Sequence, residues 1–165
     1  MGSYWHASEP QPVSEKDGDE MYDVFLSYRR VGGADFAQLL KLLLRAEGLR
    51  VFLDVENLGA GDFQAQLVRC LRSSRNVILV WTKGCMNRFL DDADEASGDF
   101  VRLEYQHALS MQKNIVPVYK EDFEFPASAR LPENVRAVMS ANAVKWIAAE
   151  YRDASLKKLV ENLVR

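Results

Sequence analysis

Short apolar runs alternate with amphipathic stretches from about residue 21 to the end of the chain, a pattern that predicts repeated βα units around a parallel sheet. Runs at 22–27, 50–54, 76–81, 114–119 and 143–146 are the strand candidates. Most are apolar on both faces, as strands covered by helices on two sides must be. Between them, Phe36, Leu39, Leu40, Leu43 and Leu44 recur at helical spacing over 34–47, and Gly48 suits the left-handed position that ends a helix. Asp62 can cap a helix running to about Arg72, and Asp99 one running to about Met111. Leu156, Leu159, Val160, Leu163 and Val164 mark a final amphipathic helix. These elements predict an α/β fold, a flavodoxin-like five-stranded parallel sheet flanked by helices, with strand order 2-1-3-4-5.

Composition narrows this picture. Residues 1–20 are rich in Glu, Asp, Pro, Ser and Gly without hydrophobic period and read as a disordered leader or linker, leaving 21–165 as the folded domain. A chain of 165 residues, 48% hydrophobic and 27% charged, suits one globular domain. The net charge of -3 argues against nucleic acid as a partner, because neutralising phosphates needs a surplus of Lys and Arg on one face. Cys70 and Cys85 offer neither a disulfide framework nor metal-ligand spacing, which points to idle thiols in a reducing, cytoplasmic compartment. No run approaches the ~20 apolar residues of a membrane span, and the start lacks the pattern of a secretory signal.

In such a sheet, ligands bind outside the carboxyl ends of the strands, in the crevice between the first and third. The first strand delivers Ser27, Tyr28, Arg29, Arg30 and then Gly32 and Gly33 there. Paired arginines before glycines suit phosphate, or form a solvated basic turn. The third strand ends in Trp81 and Thr82 with no acidic residue, which disfavours a phospho-acceptor receiver domain. The glycine-bearing loop at 54–62 is a weak dinucleotide fingerprint, since Gln64 stands where a glycine belongs. On the helix after Asp99, Phe100, Glu104 and His107 or Ala108 share one side, so a half-buried carboxylate sits one turn from an aromatic ring. Desolvation would raise its pKa, as at functional sites, although a rim residue in a surface ion pair fits the same spacing. His107 stands alone, and the acidic run Asp91, Asp92, Asp94, Glu95 and Asp99 lacks the ligand order of a calcium loop, so no metal is expected. No GxSxG elbow or Walker loop occurs.

Tyr-Asp-Val-Phe-Leu-Ser-Tyr-Arg-Arg at 22–30 resembles the first-strand box of TIR domains, the loop at 54–62 their BB loop, and Lys145-Trp146 their terminal aromatic box. Within that family the chain looks like the NAD-cleaving branch associated with sterile-alpha motifs and axon degeneration. Val-Phe-Leu-Asp-Val-Glu-Asn-Leu-Gly-Ala-Gly at 51–61, Lys-Asn-Ile-Val-Pro-Val at 113–118 and Leu-Pro-Glu-Asn-Val-Arg-Ala-Val at 131–138 carry that likeness. The resemblance implies NAD+ glycohydrolase chemistry in cell-death or innate-immune signalling, with NAD+ as substrate and no separate cofactor. It places the catalytic glutamate at Glu104 and the stacking ring at Phe100, with nucleotide contacts at Tyr28, Arg29, Arg30, Asp54, Leu58 and Asn142. It also implies that other TIR domains are partners and that self-association completes the site. The chain departs from the family pattern at Phe100, where tryptophan is expected, and at Asn57, Gly59 and Asp62 in the loop. The rival implications are a non-catalytic adaptor acting by TIR–TIR contact, and a sensor that binds the nucleotide without cleaving it.

Overall fold

Val24, Phe25 and Leu26 are wholly buried because β1 (Tyr22–Ser27) is flanked on both sides within the sheet. In the computed structural model, which describes residues 22–53, 63–90 and 99–165, β1 lies between β2 (Val51–Phe52) and β3 (Ser74–Trp81). Then follow β4 (Asn114–Lys120) and β5 (Val144–Trp146), all parallel, in the order β2-β1-β3-β4-β5 that the sequence predicts. The predicted second strand is the least well matched: only two residues join the ladder, although Leu53 beyond them is buried.

The helices are α1 (Arg30–Ala46), α2 (Phe63–Arg72), α3 (Asn87–Leu90), α4 (Phe100–Ser110), α5 (Glu133–Met139) and α6 (Arg152–Glu161). Successive strand residues point to opposite faces, so each strand feeds two cores. Val24, Leu26, Ile78, Val80, Val116 and Val118 meet Phe36, Leu40 and Leu44 of α1 and Leu156 and Leu159 of α6. Phe25, Val77, Leu79 and Trp81 meet Leu67 and Leu71 of α2, Tyr105 and Ala108 of α4, and Val135 and Val138 of α5. Each buried side chain of this kind contributes roughly 1.5–3 kcal/mol. No helix among the described residues is long and apolar enough to cross a membrane.

Buried polar groups fasten the amino edge of the sheet. Asn76 donates to the carbonyls of Asp23 and Val164, both at 2.8 Å, and its Oδ1 accepts from the Val164 amide and the Asn114 side chain. This satisfied network ties the end of the chain to β1, β3 and β4 and leaves the opposite, carboxyl edge open for a site.

Candidate active site

Two side chains at the carboxyl edge set the centre of the site. Ser27 is the last residue of β1, and Glu104 lies one turn into α4. Their side chains meet because α4 packs over that end of the sheet, and the Ser27 hydroxyl donates a hydrogen bond to the Glu104 carboxyl. Glu104 is only 4% exposed, more deeply buried than the half-burial read from helix spacing. Burial pushes its pKa up to about 8, opposed by the Ser27 hydrogen bond and the Arg29 charge and assisted by the negative charge of Asp99. The carboxyl therefore favours its protonated form at neutral pH.

The N-terminus of α4 is fixed by a second pair. Asp99 caps the helix, its Oδ1 accepting from the Arg102 amide, and it receives both ends of the Arg29 guanidinium at 2.5 and 2.9 Å. Arg29 also donates through Nε to the Cys85 carbonyl at 3.2 Å and lies 4.5 Å from the centre of the Phe89 ring. Burial alone would raise the Asp99 carboxyl, but the hydrogen bonds and charge of Arg29 outweigh it and hold the group below its ordinary range.

Around these residues opens a cleft of about 840 Å³. One wall is the segment after β1, where Val31 (φ -75°, ψ 117°) and Gly32 (φ 82°, ψ -13°) form a type II turn over 30–33 before regular helix begins. The third position of that turn requires positive φ, which is why glycine stands there. The turn leaves Val31 91% exposed on the lip, and Phe100 of α4 stands on the rim, 41% exposed. The third wall is the connection from β3 to α3, with Lys83, Gly84, Cys85, Asn87 and Arg88.

Of the residues named from sequence, the cleft gathers Tyr28, Arg29, Arg30, Phe100 and Glu104. Asp54 and Leu58 lie outside the described residues, as do the loop at 54–62, the Asp62 cap and most of the acidic run. Asn142 is not brought to the cleft: it is exposed and precedes β5, at the amino edge of the sheet. Arg29 lines the cleft, but three of its N–H donors, one on each nitrogen, are committed to Asp99 and Cys85, so it acts as a clamp on α4 more than as a phosphate ligand. Ser27 carries no role legible in the sequence, and Lys83, Asn87 and Arg88 belong to no motif there. The signal for the latter was topological, since the connection after β3 must border a crevice between β1 and β3.

The arrangement limits the chemistry. Both Asp99 oxygens are occupied by Arg29, so among the described residues lining the cleft Glu104 has no free second carboxylate to complete the acid–base pair of a two-carboxylate glycosidase. Cys85 is no nucleophile, because burial pushes its thiol up to about 11. Among the described residues no cluster of His, Cys, Asp or Glu could hold a metal. One buried carboxyl beside an exposed ring suits stabilisation of a developing positive charge on a bound sugar, with a leaving group that needs no protonation.

Comparisons with known proteins bear on the family and the fold. The chain is 37% identical over 155 residues to the NAD(+) hydrolase tir-1 of Caenorhabditis elegans, which covers 93% of the chain and 16% of that protein. It is 40% identical over 146 residues to the NAD(+) hydrolase sarm1 of Drosophila melanogaster, covering 88% of the chain and 10% of the relative. The chain thus spans less than a fifth of the length of these relatives. Among solved structures, the TIR domain of the Toll-related receptor TRR-2 from Hydra magnipapillata superposes with a TM-score of 0.58 at 18% identity, covering 86% of this chain and 97% of that one, which supports the fold. The family model of the TIR domain matches residues 24–160, and with the strand order and the relatives in agreement, this chain belongs to the TIR domain family.

Proposed function

We propose that the domain is an NAD+ glycohydrolase that breaks the bond between nicotinamide and ribose, with Glu104 as the catalytic carboxylate. The observation that carries this reading is the Glu104 carboxyl, buried in the cleft, held by Ser27 and one helical turn from the exposed Phe100 ring. The NAD(+) hydrolase names of the aligned relatives support it.

NAD+ carries its positive charge on the pyridinium ring. As that charge enters the cleft it favours the ionised form of Glu104, lowering a pKa that burial had raised. When the glycosidic bond breaks, its electron pair goes to the ring nitrogen and neutralises the pyridinium, so nicotinamide leaves without a proton. Positive charge then develops on the ribose, where the Glu104 carboxylate holds the hydroxyls and offsets it in a low-dielectric setting. Water attacks the anomeric carbon and loses a proton to give ADP-ribose. Attack by the adenine of the same molecule gives a cyclic product instead.

Val31 and Phe100 leave the mouth of the cleft with apolar lips in contact with solvent. Covering them with a neighbouring TIR domain would exclude water and strengthen the electrostatics, which supports activation by self-association. Unpaired Cys70 and Cys85 fit a reducing, cytoplasmic setting, where the activity would serve cell-death or innate-immune signalling. The test is NAD+ consumption and nicotinamide release by the purified domain at high concentration or under crowding, beside Glu104→Ala. Cleavage abolished in the variant supports the enzyme. Intact NAD+ in a sample shown to self-associate favours an adaptor.

A further inference from the structure

We infer that Lys83 and Arg88, on the connection between β3 and α3, form the subsite for the diphosphate of the dinucleotide; this rests on the NAD+ reading above. The adjacent arginines after β1 look like the anion-binding pair, but Arg29 is held by the Asp99 carboxylate, which offsets its charge, and by the Cys85 carbonyl. Arg30 is exposed at the start of the turn that carries Val31 and also lines the cleft. Lys83 and Arg88 are exposed, line the cleft, and have no ion pair or side-chain hydrogen bond among the described residues; Arg88 acts on Asp99 only through space.

Their backbone is held firmly although their side chains are exposed. The Cys85 amide donates to the Thr82 carbonyl at 3.0 Å, the Asn87 amide to Gly84 at 3.1 Å, and the Phe89 amide to Met86 at 3.0 Å. Cys85, Met86 and Phe89 are buried between these bonds, and Arg29 grips the Cys85 carbonyl from below. The segment therefore presents two cations from a fixed base, which reduces the ordering cost of binding.

The local charge agrees. Among the described residues, four cationic side chains, Arg29, Arg30, Lys83 and Arg88, line the cleft beside two carboxyl groups, Asp99 and the buried Glu104, in a chain of net charge -3. A cleft lined by one sign of charge concentrates the opposite sign. In a dinucleotide the diphosphate is one ribose away from the scissile bond. Glu104, Phe100 and the β3–α3 segment line one cleft, so a dinucleotide with its nicotinamide end at Glu104 and Phe100 has that wall available to its dianion.

The experiment compares wild type with Lys83→Gln and Arg88→Gln on two substrates that share the scissile bond, NAD+ and nicotinamide riboside, which lacks the diphosphate. ADP-ribose binding by calorimetry is measured in parallel. KM for NAD+ and Kd for ADP-ribose rise about fivefold in each variant, kcat holds, and riboside cleavage is unchanged. Equal losses on both substrates, or unaltered ADP-ribose affinity, overturn the subsite. If NAD+ and the riboside both stay intact while ADP-ribose binds and the variants weaken it, the glycohydrolase reading fails and the subsite stands. Absence of ADP-ribose binding overturns the subsite whatever the catalysis.

Discussion

Arg29 and Asp99, seventy residues apart, share a two-point hydrogen bond at 2.5 and 2.9 Å, with each side chain only 13% exposed. The pair joins the end of β1 to the first turn of α4, the two elements that supply Ser27 and Glu104. Removing one partner strands a largely buried charge and, for Asp99, also removes the helix cap. Asp99→Ala and Arg29→Ala each lower stability by about 2–4 kcal/mol in urea unfolding. Arg29→Lys restores little, because an ammonium cannot reproduce the fork. Losses below about 0.5 kcal/mol would contradict this role.

The Ser27–Glu104 hydrogen bond sets a pH dependence. On the proposed reading the free domain must ionise Glu104 to act, and burial pushes that carboxyl up to about 8, so kcat/KM rises with pH up to about 8 and levels off above. Ser27→Ala removes a donor that favours the ionised form, so the midpoint moves to higher pH. A rate profile flat from pH 6 to 9, or a midpoint that moves down in the variant, would count against this assignment.

The same carboxyl costs stability. Its folded pKa lies above its unfolded value of 4.5, so the folded state binds the extra proton between about pH 4.5 and 8. Stability from this group is fully present below pH 4.5 and is lost as pH rises through about 8. Glu104→Gln, which cannot ionise, is therefore more stable than wild type at pH 8 by on the order of 2 kcal/mol or more, melts higher there, and matches it near pH 4.5. Thermal melts at the two pH values check this, and a variant less stable at pH 8 would refute it.

Tyr105 accepts the indole N–H of Trp81 at 3.0 Å in the core beneath the cleft, and burial raises its phenol pKa. Tyr105→Phe leaves that buried donor without its partner and costs about 1–3 kcal/mol, measured by chemical denaturation. A neutral substitution would show that the bond contributes nothing net.

How far the sequence reached depended on the kind of signal. β1, β3 and β4 were legible because their apolar runs are long and covered on both faces. The second strand was read too long because Leu53 is buried without pairing. α5 has only seven residues, with Val135 and Val138 as its buried positions, too short for a helical period to show. Within the site, the three- and four-residue spacing on α4 placed Glu104 inward and Phe100 within one turn. Adjacent arginines carry no mark of which turns inward, so Arg29 looked like a phosphate ligand although it is a clamp. Ser27 gained its role only when α4 crossed β1, a contact between residues 77 apart.

The most direct test of the account pairs two readings on one variant: nicotinamide release from NAD+ and calorimetric binding of NAD+, for wild type and Glu104→Gln. The account predicts that the variant, which keeps the shape of the side chain and an acceptor for Ser27, binds NAD+ within about threefold of wild type while release falls by at least about 10²-fold. Release within a few-fold of wild type in a variant that still binds NAD+ would contradict the assignment of Glu104 as the catalytic carboxylate.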